Sequence, residues 1–255
     1  MHRVLEAFWK ETKTHAALMQ LDEGTLSERL RTNIDSVLEN ERGFSFRPHF
    51  RSAEAARLLR LCRAYLELDQ QRPDFEVTGF EQEVLYQISG HTVRLVIDRV
   101  DRLADGSLAI IDYKTGRVDP RKWFGDRPDD PQLPLYAASA EEIPVGIVFA
   151  VIRDDVCLFK GVVRNDGAFP ARPPKRSKTT EYLQEAGENL AGTVEEWRRV
   201  LNRLMDDFLA GIAPVDPKDG RKTCNNSWCE LQSLCRVGEL EQHQVPAETM
   251  TGRAP

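Results

Sequence analysis

The sequence predicts an α/β protein, a mixed central sheet flanked by helices, with helical N- and C-terminal segments. Three observations carry this. Apolar residues recur every three or four positions through about residue 70, the period changes to two after Pro73, and the helical period returns after Thr180. Between Val4 and Leu21, the residues Val4, Leu5, Phe8, Trp9, Ala16 and Leu18 fall largely on one face and predict a first helix. Leu26, Leu30, Ile34, Val37 and Leu38 predict a second, and Ala55, Leu58, Leu59, Cys62, Tyr65 and Leu66, before Arg72-Pro73, a third. Strands follow: Phe75, Val77 and Gly79 lead to Glu81, Glu83 and Leu85, and Val93, Leu95 and Ile97 alternate with Arg94, Val96 and Asp98. Ala104-Asp105-Gly106-Ser107 is a turn signal, so the run ending there should form a hairpin with Leu108 to Lys114. Residues 117–130 read as a loop and Leu133 to Ala138 as a short helix. Val145 to Ile152 and Val156 to Val163 read as a second hairpin, split by Arg153-Asp154-Asp155. Asn165 to Thr180 reads as a polar loop, and Thr180 to Ile212 as one long helix stopped by Gly211 and Pro214.

At 255 residues, 41% hydrophobic and 30% charged, the chain is long enough to bury a substantial core. The expected organisation is one domain over residues 1–238, comprising a helical part (1–70), a sheet (75–165), the long helix (180–212) and a cysteine cluster (224–235). The polar residues 239–255 are expected to be a disordered tail. No apolar run reaches the roughly 18–20 residues of a membrane span, and the start lacks the pattern of a secretory signal, so the expectation is a soluble, cytoplasmic protein with no membrane role. A net charge of -6 gives no general attraction for nucleic acid, so any basic surface must be local.

Residues at i and i+2 of a strand share a face, so Asp112 and Lys114 project together from the end of an otherwise apolar strand. For Asp98 on the neighbouring strand to lie opposite Asp112 rather than Tyr113, the hairpin needs an odd-numbered loop or a one-residue bulge near Asp105-Gly106. With Glu81 on the preceding strand, three carboxylates and one ammonium would then surround a single point. Such carboxylates repel, and a hard divalent cation such as Mg²⁺ or Mn²⁺ relieves the repulsion. It also supplies what phosphodiester hydrolysis needs, an acidified water and a neutralised phosphate. Lys114 could orient the water or stabilise the transition state. The bland reading of a lone Asp-x-Lys triplet is an exposed ion pair at a strand end.

The surrounding motifs occur in order: Asp98-Arg-Val-Asp101, Ile111-Asp112-Tyr113-Lys114-Thr115-Gly116 and Gln132-Leu-Pro-Leu-Tyr136. Together they resemble the RecB/AddB-type nucleases of the PD-(D/E)xK superfamily, from bacterial DNA repair and recombination, over His2 to about Arg236. The resemblance implies a restriction-endonuclease-like sheet and a metal site of Asp98, Asp112 and the backbone carbonyl of Tyr113, with Lys114 as the catalytic lysine. It also implies Glu81 as the acidic residue of the first core strand, with Glu83 as its rival. Gln132 and Tyr136 match a Gln-x-x-x-Tyr motif that faces DNA and the active site. His2-Arg3-Val4-Leu5-Glu6 matches a helix that contributes a metal-ligating histidine, whereas His15, His49, His91 and His243 have no such context and read as surface residues. DNA, and a helicase subunit or fused helicase-like region, are the implied partners.

Three of the five cysteines, Cys224, Cys229 and Cys235, lie close together, as ligands of a metal or cluster do. Similar endings in AddB-type nucleases hold a [4Fe–4S] cluster with a fourth, N-terminal cysteine, which here would lie before the chain begins. The spacing of the first two also departs from the family's, and zinc or plain reduced thiols are the other readings. Cys62 and Cys157 read as core residues. The leading expectation is an Mg²⁺- or Mn²⁺-dependent deoxyribonuclease, an exonuclease working alongside a helicase. The alternatives are a DNA-binding or scaffolding module of a repair complex, and hydrolysis of RNA. DNA contacts could come from Arg94, Arg99, Arg117, Arg121, Lys122 and Arg127 and from Arg172, Lys175, Arg176 and Lys178. Trp123 and Phe124 could stack on bases or be buried anchors of a solvated loop.

Overall fold

A computed structural model describes residues 1–40, 48–164, 167–170, 178–226, 229–235 and 237. Residues 239–255, where a disordered tail is expected, lie outside the described residues, as do His243, Arg172, Lys175 and Arg176. The chain divides into two compact units, 1–203 and 204–255.

In the first unit, α1 (His2–Thr12), α2 (His15–Met19), α3 (Glu23–Glu39) and α4 (Pro48–Asp69) precede the sheet. The single helix expected between Val4 and Leu21 is therefore two. Lys13 turns into the left-handed region at φ 61°, Thr14 pairs with Glu76 of the sheet, and the Thr14 hydroxyl caps α2 by accepting from the Ala17 N–H at 3.1 Å. The apolar period runs through the break because Val4, Leu5, Phe8 and Trp9 of α1 and Leu18 of α2 join one core. His15 is a second departure: it is buried, with Nδ1 2.8 Å from Asp74 Oδ1 and Nε2 3.2 Å from the Gln70 carbonyl.

Five strands follow in sheet order and chain order alike: β1 (Phe75–Ile88), β2 (His91–Leu103), β3 (Leu108–Lys114), β4 (Gly146–Arg153) and β5 (Val156–Val163). Neighbours are antiparallel except β3 and β4, which are parallel, so the sheet is mixed. The parallel pair needs a crossover, supplied by a short 3-10 helix (Pro120–Trp123) and α5 (Gln132–Ser139). After β5 come α6 (Lys178–Glu188) and α7 (Leu190–Leu209). These replace the expected single helix 180–212, because the Asn189 side chain accepts from the Gly192 N–H at 3.3 Å and starts a new helix.

Alternation divides the sheet's neighbours into two layers. Ala109, Ile111 and Tyr113 of β3 share the core with α1 to α4, including Leu5, Phe8, Trp9, Leu30, Tyr65 and Leu66. Asp112 and Lys114 take the opposite face, where Phe149 of β4 packs against Trp123 with ring centroids 5.0 Å apart. Trp123 is fully buried and also meets Trp197 of α7, so it is an anchor and does not present its ring to bases.

The second unit, 204–255, holds the end of α7, α8 (Arg221–Asn226) and α9 (Gln232–Cys235). Gly211, at φ 70°, follows α7 and takes the left-handed conformation that ends helices. No helix among the described residues is long and apolar enough to cross a membrane.

Candidate active site

The site is built by two irregularities in the sheet. The β2–β3 hairpin closes with a three-residue loop, Ala104 to Gly106, in which Gly106 takes φ 87°, and the Leu103 N–H donates to the Ser107 carbonyl at 2.8 Å. An L side chain is strained at that φ, which is why glycine stands there. The odd loop sets Arg99 opposite Ile111 and Val100 opposite Ile110, a register whose continuation brings Asp98 opposite Asp112. The second irregularity is a bulge in β1 between Val77, which pairs with Asp101, and Gly79, which pairs with Val100. The extra residue, Thr78, shifts the remainder of β1 by one position, so that Glu81 falls between the Phe80–Arg99 and Gln82–Ile97 pairs, opposite Asp98. Glu81 itself has φ 42°, a strained backbone for a residue with a side chain.

Beyond Arg99–Ile111 the two strands part, and side chains fill the fork. Asp98 Oδ2 accepts the Tyr113 N–H at 2.8 Å, replacing the strand-to-strand bond that would otherwise be made there. His2, at the start of α1, brings Nδ1 to 3.5 Å from the same oxygen, and its ring lies 5.6 Å from that of Tyr113. Among the described residues, His2, Glu81 and Asp98 form the one group of three metal-ligating side chains whose ligand atoms all lie within 4.8 Å of one another. Glu83, the rival acid, instead pairs with Arg94 at 2.7 Å on the exposed part of the ribbon.

Asp112 stands apart from that trio. Its side chain is 1% exposed, Lys114 Nζ lies 2.8 Å from Oδ2, and neither carboxylate oxygen receives an aligned hydrogen bond from the described residues. Burial, reinforced by the nearby charge of Asp98 and only partly opposed by Lys114, pushes the Asp112 carboxyl up to about 7. Glu81 is raised as well, by burial first and then by Asp98 and Glu6. These are carboxylates that lack enough positive charge around them. Lys114 is held from the other side: its ammonium donates to Gln132 Oε1 at 2.9 Å, the Gln132 amide donates to Tyr136 Oη at 2.7 Å, and Tyr136 Oη donates to the Val96 carbonyl. Since Gln132 and Tyr136 are one turn apart on α5, this relay spans the fork from β3 to β2.

Of the residues singled out from the sequence, His2, Glu81, Asp98, Asp112, Lys114, Gln132 and Tyr136 all face this one fork, with the Tyr113 peptide between the two aspartates. The cysteines do not converge in the same way. Cys224 lies on α8 and Cys235 on α9, with Cys229 between them, and their three sulfurs are not all within 4.8 Å of one another. Arg99, considered above as a DNA contact, is completely buried beneath the sheet. Arg94 and Arg121 are exposed but carry Glu83 and Asp119 as ion partners. Sequence reasoning missed the bulge at Thr78, although a glycine inside a strand pattern is a known signal for one.

Comparison with known proteins points the same way. The chain is 24% identical to a component of the ATP-dependent helicase/deoxyribonuclease of Ruminiclostridium cellulolyticum, an alignment covering 95% of this chain and 27% of that protein. The chain thus spans about a quarter of the length of that relative. The model of the PD-(D/E)XK nuclease superfamily matches residues 1–236, which take in α1 with His2, the whole sheet and the α5 relay, and on that match the chain belongs to this superfamily.

Proposed function

We propose that this chain is a divalent-metal-dependent deoxyribonuclease that degrades DNA from its ends in repair or recombination, alongside a helicase subunit or helicase-like region. The observation that carries the reading is Asp112, a buried carboxylate with no aligned donor among the described residues, beside Asp98 and within 2.8 Å of a lysine. A buried carboxylate whose one cationic neighbour does not offset its desolvation is costly, and a second cation is the natural way to offset it. Nucleases of this superfamily generally use divalent metal ions, and the donors here, carboxylate and carbonyl oxygens with one imidazole, fit Mg²⁺ or Mn²⁺. Asp98, Asp112, the Tyr113 carbonyl and His2 would hold the ion, with Glu81 as an additional acid. Such an ion supplies two things, acidification of a water and neutralisation of charge on the phosphate.

The chain's own residues do the rest. Lys114, fixed by Gln132 and Tyr136, directs its ammonium to the attacking water or to the phosphate oxygen that gains charge. Asp98 keeps the Tyr113 peptide oriented, so that the strand end bearing Asp112 and Lys114 does not pair shut with β2. The helicase association and the choice of DNA rest on the name of the Ruminiclostridium relative, and a DNA-degrading role of this kind belongs in the cytoplasm. A metal or [4Fe–4S] cluster on Cys224, Cys229 and Cys235 would be separate from this chemistry, and no step depends on one.

The test is degradation of end-labelled single- and double-stranded DNA, with a matched RNA, in Mg²⁺, Mn²⁺ and EDTA, comparing wild type with Asp112→Ala and Lys114→Ala. Metal-dependent DNA cleavage lost in both variants is expected. Binding of DNA by a folded protein without cleavage would replace this reading with a DNA-binding or scaffolding module, and preference for the RNA would move the substrate class.

A further inference from the structure

Asp98 and Arg99 are successive residues of β2 and so face opposite sides of the sheet. Behind the fork, Arg99 is 0% exposed. Its Nε and Nη2 donate to the two carboxylate oxygens of Asp101 at 2.6 and 2.9 Å, and its Nη1 donates to Asp69 Oδ2 at 2.6 Å. The same nitrogen lies 3.0 Å from the Tyr65 hydroxyl and 3.4 Å from the Tyr113 hydroxyl. The guanidinium also rests over the Trp9 ring, 4.3 Å from its centroid. Arg72 closes the set, donating to Asp69 at 3.0 Å and to Asp101 at 2.6 Å, so that two cations balance two anions.

Charge pairs of this kind are a poor way to gain stability, since apolar residues of equal volume often do as well. What they impose is one geometry, because a bidentate Arg–carboxylate fork tolerates little sliding. Two of the groups so fixed lead directly to the front of the sheet. Tyr113 is the residue between Asp112 and Lys114: its N–H is held by Asp98, and its hydroxyl is held by Arg99. Trp9 lies seven residues from His2 on α1, two helical turns and the same side, so the seat of its ring fixes the rotation that delivers His2 to Asp98. We propose that Arg99, with Asp101 and Asp69, is a positioning residue for the active site, setting the Tyr113 peptide and the His2 helix for divalent-cation binding. The inference rests on the metal-dependent reading above.

The decisive variant is Arg99→Met/Asp101→Leu, which removes one charge of each sign and leaves the Arg72–Asp69 pair intact. Three quantities are measured: thermal stability in EDTA, the Mn²⁺ dissociation constant by calorimetric titration, and kcat and KM on single-stranded DNA. The expected result is a folded protein of undiminished Tm whose Mn²⁺ affinity falls by about ten-fold or more, with kcat reduced and KM for DNA unchanged. Arg99→Lys keeps the charge without the fork and should not restore the affinity. A folded double variant with wild-type Mn²⁺ affinity and kcat would overturn the proposal. If the double variant does not fold, Tyr113→Phe, which deletes only the hydroxyl at the end of the cluster, decides it: weakened Mn²⁺ binding supports the proposal and wild-type binding overturns it. A wild-type chain that neither binds Mn²⁺ nor cleaves DNA overturns the metal-dependent reading and this inference with it. Wild-type cleavage with unaffected variants overturns this inference alone.

Discussion

The two faces of the sheet at Asp98 and Arg99 bury charge in opposite ways. Behind the sheet, four fully buried side chains, Arg72, Arg99, Asp69 and Asp101, form four ion pairs among themselves. In front, Asp112 is equally buried, yet among the described residues it has one lysine as ion partner and no aligned donor, and its carboxyl is pushed up to about 7 by burial and by Asp98. A charge that the fold satisfies belongs to the architecture. Arg72 Nη2 also lacks an acceptor among the described residues, but its cation has two carboxylates beside it, whereas Asp112 has more negative than positive charge around it; that imbalance marks a place for a cation and separates two clusters that look alike as lists of Asp, Arg and Lys.

The comparison breaks most visibly at Asp112. Asp112→Asn should abolish metal-dependent cleavage while raising stability in EDTA by about 1–2 kcal/mol, since it removes an unsatisfied buried charge. Denaturant titration with and without Mn²⁺ checks this. Wild type should gain about 2.7 kcal/mol at a metal concentration one hundred times its dissociation constant, and the variant should gain none. The reverse behaviour is expected behind the sheet, where Asp101→Ala leaves Arg99 and Arg72 short of a partner. A loss of about 3–5 kcal/mol, read by equilibrium urea unfolding, is the expected size for breaking a buried pair.

Smaller effects sharpen the picture of the front. Tyr136→Phe removes the hydroxyl that ties the Gln132 relay to Val96, and should lower kcat by about ten-fold, the equivalent of one hydrogen bond, with little change in Tm. Single-turnover cleavage measures it. Gly106→Ala should destabilise by about 1 kcal/mol, the strain of an L residue at that φ. Its residual activity per folded molecule should stay near wild type, provided that the three-residue loop, and with it the Asp98–Asp112 alignment, is kept.

How legible all this is in the sequence depends on the range of the interaction. The strand bearing Asp112 and Lys114 can be read because period two and an apolar run are local properties, and Ala104-Asp105-Gly106 advertises its own turn. The breaks at Lys13 and Asn189 are hidden because the apolar period runs through both. His15 reads as a surface residue because nothing near it in the chain speaks of Asp74 or Gln70. Arg99 reads as a DNA contact although Asp101 is only two residues on, because Asp69 and Tyr65, which complete its buried seat, lie some thirty residues away on α4.

The sequence by itself determined the α/β class and the strand that carries the Asp-x-Lys pair, because these follow from periodicity, turn preference and residue type, while His2, Gln132 and Tyr136 were legible only through the motifs that resemble a known family. Only the tertiary structure decided which charges are answered and which are not. That depends on how far β2 and β3 part, on the bulge at Thr78 that sets Glu81 opposite Asp98, and on where α1, α4 and α5 come to rest against the sheet. Each of these is a packing outcome between segments far apart in the chain, and a carboxylate's partners are fixed by geometry at the scale of a hydrogen bond.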